Sequence, residues 1–340
     1  MIRWILLVLV AVVGVGGGLV ARNVSGLYIA ASPGAPERTF SIGEGEALTR
    51  VAQRLDREGF FPGRLAARVW TLYARAKGLD RSVKSGEYDL SPSLTPIQIL
   101  EKLASGQVKT YAVTFPEGSH VLEIAAKLEA AEITSRDAVV EKAFSPEFAR
   151  SLGVQADSLE GYLFPETYRF RKNTPAEVVL RDMVEQLDAK LTPEDREKVT
   201  ASGMSLHDVI TLASIVEKET GASEERPLIA AVFHNRLARR MRLQSDPTVI
   251  YGILRERGLF DGNIRKVDLT TDSPYNTYTR GGLPAGPIAS VGIDSIRAVL
   301  APADVKYLYF VSRGNGTHYF SNTLEQHNEA VRSYQLRRGS

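Results

Sequence analysis

The sequence contains no cysteine among its 340 residues. Disulfide bonds, thiolate zinc sites, iron–sulfur clusters and a cysteine nucleophile are therefore excluded. It also lacks an excess of charge of one sign, because 42 Lys and Arg residues face 40 Asp and Glu residues and leave a net charge of +2. A protein that binds nucleic acid mainly through the phosphates needs a clear basic excess. The composition thus argues against nucleic acid as a partner.

Motifs of several common enzyme classes are absent as well. There is no HExxH zinc motif, no GxSxG nucleophile elbow, no phosphate-binding Gly-Lys-Ser/Thr loop and no GxGxxG turn after a strand. The five histidines are scattered without the spacing of metal ligands. They are His120, His207, His234, His318 and His327. We therefore expect neither a metal site nor a bound cofactor.

The N-terminus carries a long apolar run. The 18 residues from Trp4 to Ala21 contain no charge, and Arg3 and Arg22 bracket them. At about 1.5 Å per residue, a helix of this length nearly crosses a hydrocarbon core of roughly 30 Å. The apolar core of a cleaved signal peptide, the alternative, is usually only about 7–15 residues long. We predict an uncleaved transmembrane anchor at residues 1–22, whose orientation the flanking arginines do not fix.

Patterning after this anchor indicates three further parts. Residues 23–38 contain a Pro/Gly-rich stretch and no helical periodicity, which is typical of a linker. Residues 39–110 combine short strand-like runs with amphipathic helical spacing, which predicts a small α+β unit. Residues 111–340 combine helices with loops rich in aromatic residues, Pro and Gly. We therefore predict a second, mixed and helix-rich α+β domain with long loops.

A short pattern occurs twice. Glu44-Gly45 and, 73 residues later, Glu117-Gly118 each follow a strand-like run. Each is followed by apolar residues at the i, i+3, i+4, i+7 spacing of an amphipathic helix. We interpret the pair as a small repeat, with coincidence as the alternative. Between the copies, Thr95-Pro96 are typical of a helix N-cap and its first turn.

Two glutamates stand at the predicted end of a helix. Apolar spacing and a capping-box-like start predict a helix from Leu206 to about Thr220, with Gly221 as its stop. Glu217 and Glu219 lie in its last turn, where the helix dipole and burial disfavour a charged carboxylate. Cleavage of a glycosidic bond needs such a protonated carboxylic acid. The alternative is a solvated helix end, and periodicity does not decide which glutamate would be the acid.

The stretch from Leu243 to Ser290 has little periodicity. Loops this long in a compact domain are usually functional or disordered, and its aliphatic and tyrosine content argues against disorder. It offers amides, hydroxyls and aromatic faces, the groups with which proteins bind sugars. They belong to Gln244, Asp246, Thr248, Tyr251, Tyr275, Asn276, Thr277 and Tyr278. The alternative is a tyrosine-rich loop with a packing role.

Short motifs follow one another along the chain. They are Ser85 to Tyr88, Glu117-Gly118, Glu160-Gly161 through Pro165, Ala213 to Thr220, Met241 to Tyr251, Tyr275 to Tyr278, Gly282 to Ile288, and Thr317 to Asn322 with His327-Asn328. In this order they resemble the motifs of the endolytic murein transglycosylases, the MltG or YceG-like family. Each motif alone is weak evidence for the family, whereas the ordered set is highly specific and covers nearly the whole chain.

The resemblance implies a catalytic role for Glu219. In this family the acid is the glutamate directly followed by a hydroxyl residue, which selects Glu219 with Thr220 over Glu217. The implied reaction is non-hydrolytic cleavage of the β-1,4 bond between N-acetylmuramic acid and N-acetylglucosamine, which leaves a 1,6-anhydro end and needs no second carboxylate. Resemblance and residue chemistry together imply substrate contacts. These lie at Thr220, Gln244, Asp246, Tyr275, Asn276 and Tyr278.

The resemblance also bears on domains and partners. It implies a LysM-like unit at residues 39–110, with a candidate second repeat at about residues 111–135 inside the catalytic domain. Peptidoglycan lies outside the cytoplasmic membrane, so the body of a single-pass protein is expected on the periplasmic or extracytoplasmic side. Peptidoglycan strands are the expected substrate. Penicillin-binding proteins or other peptidoglycan synthases are the expected protein partners.

Two other interpretations remain open. A muramidase-type hydrolase needs a second carboxylate about 5–9 Å from the acid, and Glu166 or Asp246 would have to supply it. A non-catalytic peptidoglycan-binding protein would keep the LysM-like unit without the chemistry, and the intact motifs argue against it. One departure from the family pattern is Ala285, where a second proline is common.

Overall fold

A computed structural model describes residues 24–63 and 65–336 of the chain. The anchor predicted at residues 1–22 lies outside these residues. Within them the chain forms a mixed, helix-rich structure with small two-stranded sheets. It divides into two compact units, and the boundary in the chain falls between Tyr111 and Ala112. The α+β class predicted from the sequence is confirmed.

The first unit follows the order strand, helix, helix, strand, helix. Its elements are a 3-10 turn Gly26–Tyr28, β1 Arg38–Ile42, α1 Leu48–Arg57, α2 Ala66–Ala76, β2 Gly86–Leu90 and α3 Pro96–Ala104. The two strands pair antiparallel with Phe40 opposite Tyr88. Both rings are buried together with Leu55 and Trp70, whose indole N–H donates to the Pro96 carbonyl at 2.8 Å. The strands and helices therefore share one apolar core.

Part of the segment predicted as a linker packs on this unit. Leu27 is buried in the same core. The Ser32 N–H donates to the Pro92 carbonyl at 2.9 Å, and the Ser91 hydroxyl donates to the Ala35 carbonyl at 2.5 Å. These bonds attach residues 27–35 to the turn after β2.

The second unit begins within β3 and contains the remaining elements. They are β3 Tyr111–Thr114, α4 Val121–Ala130, α5 Arg136–Ala143, α6 Pro146–Ser151, β4 Thr167–Phe170, α7 Ala176–Lys190, α8 Pro193–Ser202, α9 Leu206–Glu219, a 3-10 turn Ser223–Glu225, α10 Arg226–Ala238, α11 Asp246–Arg257, α12 Lys266–Thr270, α13 Ile293–Leu300, β5 Tyr309–Ser312, β6 His318–Ser321, α14 Leu324–Val331 and a π-helical turn Arg332–Leu336. β3 pairs with β4, and β5 pairs with β6. Among the described residues no single helix is long and apolar enough to cross a membrane; α8 and α9, bent by 98°, pass that test only as a pair.

Helix α9 is the best-buried helix near the site. Every residue from Val209 to Val216 is buried, and the helix packs against α10, α11 and α13. It starts with the capping box that the sequence predicts, in which Ser205 and Asp208 bond each other's backbone N–H groups. It ends at Glu219, because Thr220 is extended. The position of Glu219 is therefore set by a helix that neighbouring helices hold in place.

The long region from Leu243 to Ser290 is not a continuous loop, which corrects the prediction from the sequence. Asp246–Arg257 form α11, a regular helix that ends at Gly258 in the left-handed conformation. Two of its buried positions are occupied by Thr248 and Gly252, so the apolar spacing that marks a helix is interrupted. The helix predicted at Thr95-Pro96 begins at Pro96, and the helix predicted from Leu206 ends at Glu219, one residue before the predicted end, a displacement that is usual for helix boundaries.

The two Glu-Gly segments share a local conformation. Gly45 and Gly118 both have positive φ, 67° and 75°, and each lies between a strand and a helix. Their strands differ in pairing, since β1 pairs with β2 and β3 pairs with β4. The similarity thus extends over strand, turn and helix.

Candidate active site

The two glutamates at the end of α9 have different surroundings. The Glu217 side chain is 4% exposed, and its Oε1 accepts a hydrogen bond from Arg226 Nη2 at 3.1 Å. Its Oε2 accepts one from the Gly292 N–H at 2.9 Å. Glu219 is instead held by a neutral donor, because its Oε1 accepts from the Ser245 hydroxyl at 2.5 Å. Glu217 is a paired structural carboxylate, whereas Glu219 is the candidate acid.

Glu217 belongs to a cluster that we call the α9 clamp, formed by Glu117, Glu217, Arg226 and Gly292. The guanidinium of Arg226 bonds both carboxylates, since its Nη2 also donates to Glu117 Oε2 at 3.2 Å. A side chain at position 292 would displace the Glu117 carboxylate, because a Cβ there would lie 1.9 Å from Glu117 Oε1. The clamp therefore ties the end of α9, which carries Glu219, to the loops before α4 and α13.

The electrostatic surroundings of Glu219 suit an acid that works near neutral pH. Burial, the largest influence, raises the pKa of Glu219 to about 7, and the nearby charge of Asp246 adds to this effect. The Ser245 hydrogen bond, His318 and Arg236 act in the opposite direction and lower this pKa. A carboxyl group balanced in this way is partly protonated at neutral pH, so it can give up a proton and take one back.

Hydroxyl groups position the residues next to Glu219. The buried Thr220 side chain accepts from the Ala222 N–H at 2.9 Å, which shapes the turn after α9. The Ser245 N–H donates to Thr277 Oγ1 at 3.0 Å, and the Thr248 and Thr277 hydroxyls bond at 2.9 Å. Ser245 was not among the residues expected from the sequence, although it lies between two that were. It is the residue that holds the candidate acid.

Asp246 and Tyr278 lie at the rim of this site. The Tyr278 hydroxyl donates to Asp246 Oδ1 at 2.5 Å, and Asp246 is the first residue of α11. Burial and this hydrogen bond raise the pKa of Tyr278, with the Glu219 charge as a further contribution. Gln244 is exposed with a φ of 51°, and its N–H donates to the Thr277 carbonyl at 3.2 Å. The fold thus brings Asp246 and Tyr278 close to Glu219. Gln244 directly precedes Ser245, whose hydroxyl donates to Glu219.

Asn276 is buried and its amide is used within the protein. Its Nδ2 donates to the carbonyls of Asp268 and Thr271 at 3.1 and 2.7 Å, and its Oδ1 accepts from the Tyr278 N–H at 2.8 Å. These bonds close the loop after α12 and orient Tyr278. Direct substrate contact by Asn276 stays a prediction, and the geometry supports a role in shaping the loop.

Tyr275 points to a different part of the unit. Its ring packs edge-on against Tyr251 at 4.8 Å, and the Tyr251 hydroxyl donates to Glu160 Oε2 at 2.8 Å. Burial raises the pKa of Glu160 to about 7. Tyr275 also lines a cavity beside His207, at the opposite end of α9 from Glu219.

His318 and Arg236 are the two residues whose electrostatic influence lowers the pKa of Glu219. Both the N–H and the Nδ1 of His318 bond the buried carboxylate of Glu225, at 2.9 and 2.6 Å. The buried Arg236 donates to the carbonyls of Leu308 and Leu243, each at 2.7 Å. The sequence offered one signal for His318, its position in the closing motif, and none for Arg236.

The second carboxylate that a hydrolase requires has one candidate at this site. Glu166 accepts from Gln186 and pairs with Lys190 at 3.2 Å, and it does not figure among the charges that shift the pKa of Glu219. Asp246 does. In residues 24–63 and 65–336, no group of three or more His, Asp or Glu side chains has the arrangement of a metal site.

Comparison with known proteins defines the class. The model of the YceG-like family matches residues 40–333, so the chain belongs to the YceG-like family. A crystal structure of a yceG-like protein from Listeria monocytogenes shares 33% sequence identity, with a TM-score of 0.59. That match covers 87% of this chain and 99% of the Listeria chain.

Two curated relatives carry a more specific name. A Bacillus subtilis protein named endolytic murein transglycosylase is 32% identical over 312 residues, which cover 86% of this chain and 84% of the relative. A Streptococcus pneumoniae protein of the same name is 29% identical over 325 residues, which cover 86% of this chain and 57% of the relative. The chain thus corresponds to most of the Bacillus protein and to little more than half of the Streptococcus protein.

Proposed function

We propose that this chain is an endolytic lytic transglycosylase that cleaves the β-1,4 bond between N-acetylmuramic acid and N-acetylglucosamine in nascent peptidoglycan strands. The observation that carries the proposal is the Glu219 carboxyl at the end of α9, whose pKa burial raises to about 7 and which accepts a hydrogen bond from the Ser245 hydroxyl beside Asp246. The names of the Bacillus and Streptococcus relatives support the substrate and the reaction.

Glu219 would act twice in this reaction. In the first step its O–H proton passes to the glycosidic oxygen as the bond to C1 of the muramic acid breaks. In the second step the C6 hydroxyl of the same sugar attacks C1 and its proton returns to the Glu219 carboxylate, which closes the 1,6-anhydro ring. No water is consumed and the acid is restored. The internal nucleophile makes a second protein carboxylate unnecessary.

The neighbouring charges would serve both steps. After the first step Glu219 is negative, and the fields of His318 and Arg236 stabilise that state. Before the first step, burial and the Asp246 charge favour the protonated form of Glu219. Because these influences oppose each other, one group can donate and then accept a proton with little change in driving force.

Ser245→Ala is expected to extend cleavage to higher pH. The Ser245 hydrogen bond stabilises ionised Glu219, so its removal raises the pKa of this carboxyl above about 7. The protonated acid starts the reaction, so the rate falls as pH rises through that pKa. The falling limb of kcat/KM against pH measures the effect. Ser223→Ala, at an exposed serine, is the control, and an unmoved limb would contradict the assignment.

The position of Asp246 favours one alternative, a muramidase-type hydrolase in which this carboxylate activates water. Mass spectrometry of the products separates the two, because a hydrated reducing end is heavier than a 1,6-anhydro end by one water. With the full-length protein and polymeric glycan we expect anhydro ends, and Asp246→Asn should leave their identity unchanged. Reducing ends that disappear in Asp246→Asn would establish the hydrolase. No cleavage at all would favour the binding-only function.

We also propose that residues 1–22 anchor the protein in the cytoplasmic membrane by a single transmembrane helix. The uncharged run from Trp4 to Ala21 supports this proposal, and the substrate supports a catalytic body on the periplasmic or extracytoplasmic side. The strand–helix–helix–strand order within residues 39–110 supports a LysM-like unit there. Peptidoglycan synthases are the proposed protein partners, on the family resemblance alone.

A further inference from the structure

Two neighbouring cavities lie at the start of α9, away from Glu219. One, of about 440 Å³, is mostly polar, and Arg150, Asp157 and Tyr275 are in its wall. The other, of about 430 Å³, is mostly apolar and is lined by side chains from the loop after α6 and from α7. Both include Gln155 and His207 in their walls, so the two cavities are adjacent.

The shared wall is ordered by contacts inside the protein. The Tyr162 hydroxyl and His207 Nδ1 are 2.9 Å apart, and their rings are stacked at 6.1 Å. Gly286 stands opposite, where a Cβ would lie 3.7 Å from His207 Nε2 and 3.8 Å from the Tyr275 hydroxyl. A side chain at position 286 would occupy the space between the His207 and Tyr275 side chains. The glycine of the Gly282 to Ile288 motif therefore keeps the polar cavity open.

The charges of the cavities are available to a ligand. In the described part of the chain, the side chains of Arg150, Asp157 and Glu185 make no hydrogen bond or salt bridge, and all three residues are exposed. Arg150 and Asp157 border the polar cavity, and Glu185 borders the apolar one. This combination suits a short peptide that has a carboxylate and an aliphatic amine. A neutral sugar chain would leave these charges without partners.

The distance to Glu219 fits a peptide attached to the sugar at the cleaved bond. His207 and Glu219 are 12 residues apart on α9, which is roughly 18 Å along the helix. A five-residue peptide in extended conformation spans roughly 17 Å. The loop from Tyr275 to Tyr278 connects the two places, because Tyr275 lines the polar cavity and Tyr278 bonds Asp246 beside the acid.

We infer that these cavities bind the stem peptide carried by the muramic acid at the cleavage site. Arg150 bonds a peptide carboxylate, and the apolar cavity takes the alkyl chain of the diamino acid with its ammonium group at Glu185. Both contacts are charge-assisted, which makes them stronger than neutral hydrogen bonds. The inference rests on the proposed function, since it takes peptidoglycan as the substrate.

Direct binding tests this inference without turnover. A free stem pentapeptide that contains a diamino acid is titrated into the full-length Glu219→Gln protein by calorimetry. Adding Arg150→Gln or Glu185→Gln is expected to weaken binding roughly tenfold, the typical effect of losing one hydrogen bond to a charged group. The matched controls are Arg257→Gln and Glu197→Gln, which are exposed and line neither cavity. Equal affinity in all variants, or no peptide binding, would overturn the inference.

Cleavage provides a second measurement. Initial rates are compared on strands with stem peptides and on strands whose peptides an amidase has removed. The ratio of the two rates should fall roughly tenfold in Arg150→Gln and remain unchanged in Arg257→Gln. The same ratio in both proteins would refute peptide recognition. The titration needs no catalysis, so a protein that binds peptide but does not cut glycan contradicts the proposed function alone.

Discussion

Glu219→Gln is expected to abolish strand cleavage, with a loss of roughly 10³-fold or more, as befits removal of the one general acid. Glutamine has nearly the same shape and can still accept the Ser245 hydrogen bond. It has no acidic proton to give to the glycosidic oxygen and no carboxylate to take one from the C6 hydroxyl. The rate of product release from polymeric glycan, with full-length protein, measures the effect.

Two controls accompany this variant. Glu224→Gln changes an exposed glutamate on the turn that follows α9 and should leave the rate unchanged. The second control is a comparison of the stability of Glu219→Gln and of the parent protein at different pH. The pKa of Glu219 is raised from its ordinary 4.5 to about 7, so the native protein loses stability as pH rises between these values. Glu219→Gln should therefore gain stability relative to the parent protein at pH above 7. Cleavage that survives in Glu219→Gln would assign the acid elsewhere.

Arg226→Ala is expected to have the largest effect on stability, a loss of about 3 kcal/mol. It would leave the Glu217 carboxylate, 4% exposed, without its cation, and Glu117 would lose the same partner. An unpaired buried charge costs more than the ion pair contributed, because the carboxylate remains out of water. The end of α9 would loosen with it, so the cleavage rate should fall as well. Urea denaturation measures the stability change.

A second substitution separates this effect from a general loss of packing. Glu217→Gln added to Arg226→Ala removes the unpaired charge and keeps an acceptor for the Gly292 N–H. The double variant should therefore be more stable than Arg226→Ala alone. Arg280→Ala, which removes one partner of the exposed Asp272 pair, should change little. A double variant as unstable as the single one would show that the Glu217 charge is not the cause.

Much of the site's framework followed from local sequence patterns. Capping residues at Ser205 and Asp208, and apolar residues at helical spacing after them, predicted α9 because a helix start and its apolar face depend on neighbours three or four residues away. Thr95 and Pro96 predicted α3 in the same way. Apolar periodicity did not indicate helix α11, since Thr248 and Gly252 occupy buried positions without an apolar signature.

The ordered motifs indicated Glu219 through family resemblance, whereas periodicity left it equivalent to Glu217. Substrate contact by Thr220, Gln244, Asp246, Tyr275, Asn276 and Tyr278 stays a prediction. The structure brings Thr220, Asp246 and Tyr278 to the acid, and it separates Tyr275 from it.

The sequence by itself determined the α+β class, the start of α9 and the presence of two acids at its end, because these depend on residues close together in the chain. Only the tertiary structure distinguished the two acids. Arg226 neutralises Glu217 and joins it to Glu117, 109 residues from the arginine, while Ser245, 26 residues beyond Glu219, holds that acid without a charge. Burial and ion pairing at such separations are set by how the helices pack. No local pattern encodes that packing, and it is what raises the pKa of Glu219.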